Sequence, residues 1–395
     1  MCFIWALLIA IGLSGCASME SAGEALEGIK DYFLGGEDNA EPPAPLVEYT
    51  PEKNIEILWK ESVGDGAGEK SLKLVPAVGG GKVVAADIEG LVEAHRQTDG
   101  ERVWEAETEY HFSGGPHIGD GTVILGTSDA EVVALKLDNG EKLWAASVPG
   151  EVLSVPAVAR GAVIVRCTDG SITALNEKTG AKMWSYERSV PTLSVRGTGA
   201  PIVVEDNVVF GEDNGKLIAL ALTDGKFSWE ASIAMAKGRS EIERLVDLDV
   251  DPVAEGGVIY IASYQGGVGA VAELDGYLLW RNEQLSSSSG LSISDRRLFL
   301  TDSDSNVLQL DDRSGVALWK QKELQYRKLT APAAFDDYVA VGDLEGYVHF
   351  LSNSDGRQMG RVRVTGGPID ARPVVADDTV FVYARDGTLA ALKVR

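Results

Sequence analysis

The chain has 395 residues, of which 60 are Asp or Glu and only 36 are Lys or Arg, so its formal net charge is −24 at pH 7. Nucleic acids and anionic membrane surfaces bind basic patches, and this acidic balance therefore argues against either of them as the partner. Length alone would suggest two or three domains.

The N-terminus is typical of an exported protein. Residues 3–13 are apolar, which is too short for a membrane span of about 20 residues but typical of an export signal. The next residues, Leu13-Ser14-Gly15-Cys16, resemble the lipobox of bacterial lipoproteins. This resemblance implies a signal peptide at 1–15, lipidation of Cys16, and an outer-membrane location on the periplasmic side, since no Asp follows Cys16 directly. Cys167 would then be the single free thiol, and we expect no intramolecular disulfide.

Residues 16–50 follow as the lipidated N-terminus and a flexible tether. The stretch is polar and is interrupted by Pro42, Pro43 and Pro45, a composition that favours a linker. No later segment is long and apolar enough to span a membrane.

A repeat with two fixed markers organises the remaining chain. Apart from Trp5, the tryptophans form one series, and a Gly precedes six of them by four residues; the series is Trp59, Trp104, Trp144, Trp184, Trp229, Trp280 and Trp319. A seventh copy of the Gly motif has Gly360 at the Trp position. A Pro precedes the Trp position by 28 residues in six copies, as Pro156 precedes Trp184.

Each copy predicts four short strands. The stretch from Pro156 to Trp184 alternates apolar runs with turn signals such as Asp169-Gly170. Four strands in about 40 residues are typical of a propeller blade. The last copy ends after three strands, and residues 54–62 supply a Trp strand with no module before it. We therefore predict an all-β, eight-bladed β-propeller at 51–395, with four-stranded antiparallel blades and a ring closed by the N-terminal strand.

The repeated tryptophans have a structural and a functional interpretation. They could stack on a sugar or a cofactor, but a large side chain at one position of every blade favours packing between neighbouring blades. On that interpretation the seven Trp are structural, and Gly360 predicts a looser contact beside the closure.

The sequence contains no recognisable catalytic machinery. The four His are dispersed, and Asp247-Leu248-Asp249-Val250-Asp251 begins like a calcium loop but lacks the required Gly and Glu. There is no nucleophile elbow and no phosphate-binding loop. We therefore expect no enzyme activity, no catalytic residue, no cofactor and no metal.

Length variation points to a binding face. All extra residues lie between a Trp and the next Pro, and the longest neighbouring links follow Trp184 and Trp229. Insertions at equivalent places of a repeat protein lie on one face, often the binding face. Apolar residues, an Arg and a carboxylate row in these links could form a docking patch, or an ordinary strand edge with an internal Arg–Asp pair.

The repeats resemble those of the pyrroloquinoline-quinone type of propeller. Together with the lipobox, the Pro-rich tether and the link sequences Leu-Ser-Val-Arg-Gly and Glu-Ile-Glu-Arg-Leu-Val-Asp-Leu-Asp, they are similar to the BamB family. These are lipoprotein subunits of the machinery that assembles outer-membrane β-barrels.

The resemblance implies a non-enzymatic scaffold that docks on the periplasmic POTRA domains of a BamA-like barrel subunit. It further implies other assembly-complex lipoproteins and unfolded outer-membrane proteins as partners. The docking residues by this resemblance are Leu193, Val195, Arg196, Asp247 and Asp249. Two alternatives stay open: a periplasmic quinone-dependent oxidoreductase, for which an adjacent Cys pair is missing, and a ligand-binding propeller lipoprotein.

Overall fold

The structure, a computed structural model, describes residues 41–68, 70, 72–187, 199–235 and 246–395. The regular structure in this part of the chain consists of 33 β-strands in eight sheets. None of the described residues belongs to a helix that could cross a membrane. The strands all lie in the unit Pro43–Arg395, one of two into which the chain divides, the other being Met1–Pro42.

Each blade contains a four-stranded antiparallel meander, and in blades 1 to 7 its strands follow the chain order from the innermost to the outermost. Gly residues with positive φ close the hairpins, as Gly170 (φ 81°) does between the second and third strands of blade 3. Blades 1 to 4 consist of the following strands: β3 (Ala77–Gly79), β4 (Lys82–Ala86), β5 (Leu91–Arg96) and β6 (Arg102–Glu107); β7 (Phe112–Ile118), β8 (Thr122–Thr127), β9 (Glu131–Lys136) and β10 (Lys142–Ser147); β11 (Ala157–Ala159), β12 (Ala162–Arg166), β13 (Ile172–Asn176) and β14 (Lys182–Tyr186); β15 (Ile202–Val204), β16 (Asn207–Gly211), β17 (Lys216–Ala221) and β18 (Phe227–Ser232).

Blades 5 to 7 repeat this pattern, whereas blade 8 takes its outermost strand from the other end of the chain. Their strands are the following: β19 (Val253–Glu255), β20 (Val258–Ala262), β21 (Val268–Ala272) and β22 (Leu278–Asn282); β23 (Gly290–Ser294), β24 (Arg297–Thr301), β25 (Val307–Asp311) and β26 (Ala317–Gln321); β27 (Ala333–Phe335), β28 (Tyr338–Gly342), β29 (Tyr347–Ser352) and β30 (Gln358–Arg363); β31 (Val374–Ala376), β32 (Thr379–Tyr383), β33 (Thr388–Val394) and β1 (Ile55–Ser62).

The ring closes as the sequence predicts. Strand β1 pairs antiparallel with β33, and the register runs from Ile55 opposite Val394 to Ser62 opposite Thr388. The first and last strands therefore complete blade 8 together. The prediction of an all-β, eight-bladed propeller is confirmed.

One short strand departs from the regular pattern. Strand β2 (Lys73–Leu74) lies in the link from β1 to β3 and pairs in parallel with β7, the innermost strand of blade 2. Blade 2 is therefore a five-stranded sheet. The sequence analysis does not predict this strand, because two residues carry no periodic signal and their pairing depends on the folded ring.

The Trp series packs each blade against the next. The Trp104 indole N–H donates a hydrogen bond to the Leu137 carbonyl of the following blade (2.8 Å), and five other Trp bond to the equivalent carbonyl. The Trp229 N–H has no hydrogen-bond acceptor among the described residues. The rings lie over the Gly of the next blade's motif, so that a Cβ on Gly140 would lie 2.6 Å from Trp104. A Gly is therefore required both for its positive φ and for the approach of the Trp.

The N-terminal strand fills the place of the missing Trp at Gly360. A Cβ there would lie 2.8 Å from the Lys53 carbonyl and 3.0 Å from the Ile55 side chain. Blade 8 has no turn before its outermost strand, and the incoming chain occupies that position instead. The contact is therefore close, and the expectation of a looser contact at this position is wrong.

The residues before β1 lie against the link from blade 6 to blade 7 and then against the outermost strand of blade 7. The Ala44 N–H donates to the Gln325 carbonyl (2.9 Å), and Arg327 donates to the Ala44 carbonyl (3.0 Å). Further along, the Glu52 and Lys53 N–H groups both donate to the Met359 carbonyl (2.9 and 3.0 Å). The last part of the Pro-rich segment is thus bound to the propeller.

Candidate functional site

The described ends of the two long links predicted to carry the docking residues lie on one face of the propeller. Strand direction alternates within a blade, so the links and the turns between second and third strands share a face, which we call the link face. Leu193, Val195 and Arg196 lie outside the described residues, as does Cys16. Asp247 and Asp249 are among the described residues, and the geometry of the site is therefore given around these two carboxylates.

The acidic row, which consists of Asp247, Asp249 and Asp251, lies in the link between blades 4 and 5. Its alternate residues Val246, Leu248 and Val250 are at most 4% exposed and pack into the blade cores. The Leu248 carbonyl approaches Gly211 so closely that a Cβ there would lie 2.3 Å away. The sequence folds this way locally because apolar residues alternate with carboxylates, as in a strand with one buried side. The segment is therefore fixed in position and is not a free loop.

The first two carboxylates of the row are largely buried. Asp247 is only 1% exposed, and the Asp249 side chain is 16% exposed. A buried Arg reaches the row from blade 3: the Arg166 guanidinium lies 3.7 Å from the Asp249 carboxylate and 3.1 Å from that of Asp213. It also donates to the Gly199 carbonyl (3.3 Å), which lies where the first link returns to blade 4. One cation thus ties together the ends of both links.

A second ion pair holds the end of the row. Lys73 of β2 donates to the Asp251 carboxylate (2.7 Å), which also accepts the Ala200 N–H (2.7 Å). Burial would raise the pKa of Asp251, but Lys73, Arg372 and the Ala200 N–H outweigh it and lower this pKa below its usual range. Asp251 therefore stays ionised at neutral pH and connects three parts of the link face.

The sequence analysis missed Arg166, Asp213 and Lys73. A signal for Arg166 exists, because it ends β12 in the run Ala-Val-Ile-Val-Arg, and the other seven second strands end in an uncharged residue. A charged residue in such a buried run needs a partner. Which carboxylate would meet it depends on the approach of blades 3, 4 and 5, which the sequence does not show.

The axial channel opens at the link face as a cavity of 520 Å³. Its wall consists mainly of the innermost strands and of the prolines that precede the Trp positions by 28 residues, among them Pro76, Pro116 and Pro156. Lys73 and Arg372 are its cationic residues. Proline removes a backbone donor from an innermost edge strand, which leaves fewer unpaired N–H groups facing the channel.

The described residues contain no group of three or more His, Cys, Asp or Glu that could hold a metal ion. The Cys167 thiol is buried, and burial raises its pKa, so it stays protonated. The buried His95 and His349 each bind one carboxylate within a blade core, at 2.7 Å from Glu93 and 2.9 Å from Asp343. These pairs are enclosed, and no substrate could reach them.

Comparison with known proteins identifies relatives over nearly the whole chain. The family model described as outer membrane protein assembly factor BamB matches residues 88–321 and 303–395. The outer membrane protein assembly factor BamB of Alkalilimnicola ehrlichii is 51% identical over 338 residues, which cover 86% of this chain and 88% of that protein.

Solved structures show the same architecture. BamB from Moraxella catarrhalis superposes with a TM-score of 0.78 at 26% identity, over 86% of this chain and all of that one. A europium-containing methanol dehydrogenase superposes with a TM-score of 0.70 at 12% identity, over 86% of each chain. At that identity the likeness to the dehydrogenase concerns the fold alone.

Proposed function

The chain belongs to the family of the outer membrane protein assembly factor BamB, and on that basis we propose that it is a non-enzymatic scaffold for the assembly of outer-membrane proteins. Its role in this assembly is the one its relatives are named for. We propose further that Cys16 is lipidated and anchors the chain to the periplasmic side of the outer membrane, with residues 16–50 as the lipidated N-terminus and tether, of which the last part from Ala44 is bound to the propeller.

The partner in this proposal is a BamA-like barrel subunit, bound through its periplasmic POTRA domains. The observation that carries the proposal is the buried Arg166, which joins the ends of both long links through Asp249 and the Gly199 carbonyl. Link ends held in one arrangement favour a preorganised surface, and preorganisation lowers the entropic cost of binding. Leu193, Val195 and Arg196 would then contact the partner.

Asp247 and Asp249 have a different role in this proposal. With Asp247 only 1% exposed, a direct contact with a partner would require the surface to open. We propose that these two carboxylates position the links, and that the exposed part of the links binds. Other assembly-complex lipoproteins and unfolded clients would reach the complex through the barrel subunit or through other surfaces of the propeller.

A pull-down of the tagged lipoprotein from outer membranes in mild detergent tests this proposal. Arg196→Glu should lose the barrel subunit, because a reversed charge at the centre of an interface leaves the partner's group unpaired. Arg160→Glu is the matched control: Arg160 is exposed, pairs with Asp206, and lies in the first turn of blade 3 on the opposite face. Equal recovery of the barrel subunit with both variants would contradict the assigned face.

A further inference from the structure

The outermost strands of the blades differ at the positions just before the Trp. The two positions compared are three residues and one residue before the Trp. Blade 1 has Glu101 and Val103 there, and blade 2 has Glu141 and Leu143. Blade 4 has Lys226 and Ser228 at these places. A charged residue on an exposed edge strand opposes pairing with another chain. These three blades therefore have a protected edge.

Blade 3 has Ala181 and Met183 at these places but carries Lys182 between them, whereas blades 5 and 6 have no charge at any of the three positions. Their residues at the same two positions are Tyr277 and Leu279 in blade 5, and Val316 and Leu318 in blade 6. Tyr277 is 70% exposed, Leu279 47%, and both Val316 and Leu318 are 59% exposed. We call these four residues the apolar rim. Tyr277 and Val316 lie just before β22 and β26, and Leu279 and Leu318 lie on these strands, so the rim presents two neighbouring apolar pairs to solvent.

The backbone beside the rim is also available for pairing. β22 and β26 are the outermost strands of their sheets, with β21 and β25 as their single sheet neighbours. An outermost strand presents N–H and C=O groups along its free edge, which makes it a template for an added strand.

Blade 7, which has Arg357 and Met359 at these two positions, shows what can cover an outer edge. Met359 holds the position equivalent to Leu279 and Leu318, yet it is only 7% exposed. The extended segment 44–53 lies over it, with two backbone N–H groups bonded to the Met359 carbonyl. In the same segment, Leu46 packs against a core cluster and Tyr49 stacks on Arg361 (5.2 Å). A chain segment with apolar and aromatic residues thus covers the outer edge of blade 7, although it does not pair with β30 as a strand.

Charge beside the rim favours one kind of residue in the occupant. Glu273 and Asp275 lie in the turn before β22, and neither forms an ion pair with a described residue. Burial first, and then the neighbouring Glu205 carboxylate, raise the pKa of Glu273. A cation brought to this turn would relieve the repulsion between Glu205 and Glu273.

We propose that the apolar rim binds an extended segment of an unfolded outer-membrane protein, in which apolar residues alternate with polar ones and a Lys or Arg lies beside Glu273. Strands of membrane β-barrels have this alternation, so such a segment would present a row of apolar side chains to the rim. The identity of the client rests on the proposed function, whereas the rim lies on the outer edge of blades 5 and 6 and not in the links.

The test measures binding of a labelled ten-residue peptide in which Val, Phe and Tyr alternate with Thr and Ser, with Lys at each end. Leu279→Lys/Leu318→Lys restores an edge charge to both blades and should weaken binding about tenfold or more, since it places a cation against apolar side chains. Val103→Lys/Leu143→Lys changes two equally exposed residues of blades 1 and 2 and should leave binding unchanged. Thermal unfolding of both variants checks that they are folded.

Three results would overturn the proposal. The first is equal affinity of the wild type and Leu279→Lys/Leu318→Lys for the peptide. The second is undiminished binding of a peptide with Pro at alternate positions, which cannot donate the backbone hydrogen bonds. The third is concentration-dependent dimerisation in sedimentation, abolished by the rim substitutions, because the rim would then bind a second copy. The pull-down of the barrel subunit is an independent test. The rim variants should still recover the barrel subunit, and failure of the wild type to recover it would contradict only the proposed function.

Discussion

Two buried histidines, His95 and His349, each pair with a carboxylate, yet the pKa of one is raised and that of the other is lowered. Both ring nitrogens of His95 face acceptors, the Glu93 carboxylate (2.7 Å) and the Gly100 carbonyl (2.8 Å). Burial lowers the pKa of His95, but these two acceptors outweigh it and the net shift is upward. His349 has only the Asp343 carboxylate, and its Nδ1 has no hydrogen-bond partner among the described residues. Burial therefore dominates and lowers the pKa of His349.

These shifts predict opposite pH dependences of stability. His95, with its raised pKa, stabilises the fold below the unfolded value of 6.5, and this contribution is lost as the pH rises through the folded pKa. His349, with its lowered pKa, contributes above 6.5, and its contribution is lost as the pH falls through the folded pKa. We expect His95→Gln to remove stability on the acid side and His349→Gln to reduce the loss of stability on acidification.

Urea unfolding between about pH 5 and pH 8 measures both effects as changes in the slope of free energy against pH. Gln keeps a donor for the carboxylate in each case. A change of slope in the same direction for both variants would contradict the assignment. The sequence could not distinguish these residues, because both are single His in an alternating strand and their partners depend on the core around them.

At the scale of single elements, the repeated residues were sufficient to predict most strands. The Gly-to-Trp spacing places the last hairpin of each blade, and the apolar runs place the strands before it. What the sequence could not indicate is where a neighbouring element replaces a repeated residue. Gly360 is such a case, because its space is taken by Lys53 and Ile55, which are distant in the chain. Nor could the sequence indicate the partners of Arg166, since these carboxylates belong to blade 4 and to the link into blade 5.

Restoring a side chain at Gly360 should therefore destabilise the propeller, although it restores the repeat. A Cβ would lie 2.8 Å from the Lys53 carbonyl, and we expect Gly360→Ala to cost about 1–3 kcal/mol in the free energy of unfolding. Gly360→Trp should cost more. Gly366→Ala is the matched control, because no atom lies within 4 Å of a Cβ there and φ is not positive. Chemical denaturation measures both, and an equal effect of the two Ala variants would refute this account of the closure.

At the scale of the whole molecule, the stability of the ring depends on β1 and β33. A cross-link between Glu56 and Lys393, which are opposite each other in this pair, closes almost the entire propeller. We expect Glu56→Cys/Lys393→Cys, when oxidised, to stabilise by up to about 6 kcal/mol, since a longer closed loop removes more entropy from the unfolded chain. Lys216→Cys/Ser232→Cys joins neighbouring strands of one blade and should add up to about 3 kcal/mol.

The measurement is the free energy of unfolding of each pair in the oxidised and the reduced form. Cys167 is buried and does not compete for the new thiols. A gain for the blade 4 pair that equals or exceeds the gain for the β1–β33 pair would show that ring closure is not the weak point.

The pairing of β1 with β33 also determines when folding of the propeller can be completed. A growing or translocating chain releases β1 early and β33 last. Seven blades can form as they emerge, but the eighth waits until Val394 is free. Until then the blades form an open arc, and the flanks of its first and last sheets are uncovered. A product that ends before β33 stays in that state. Ring closure is thus restricted to chains that include β33, because only such a chain can cover its flanks and keep them from proteases and from other unfinished chains.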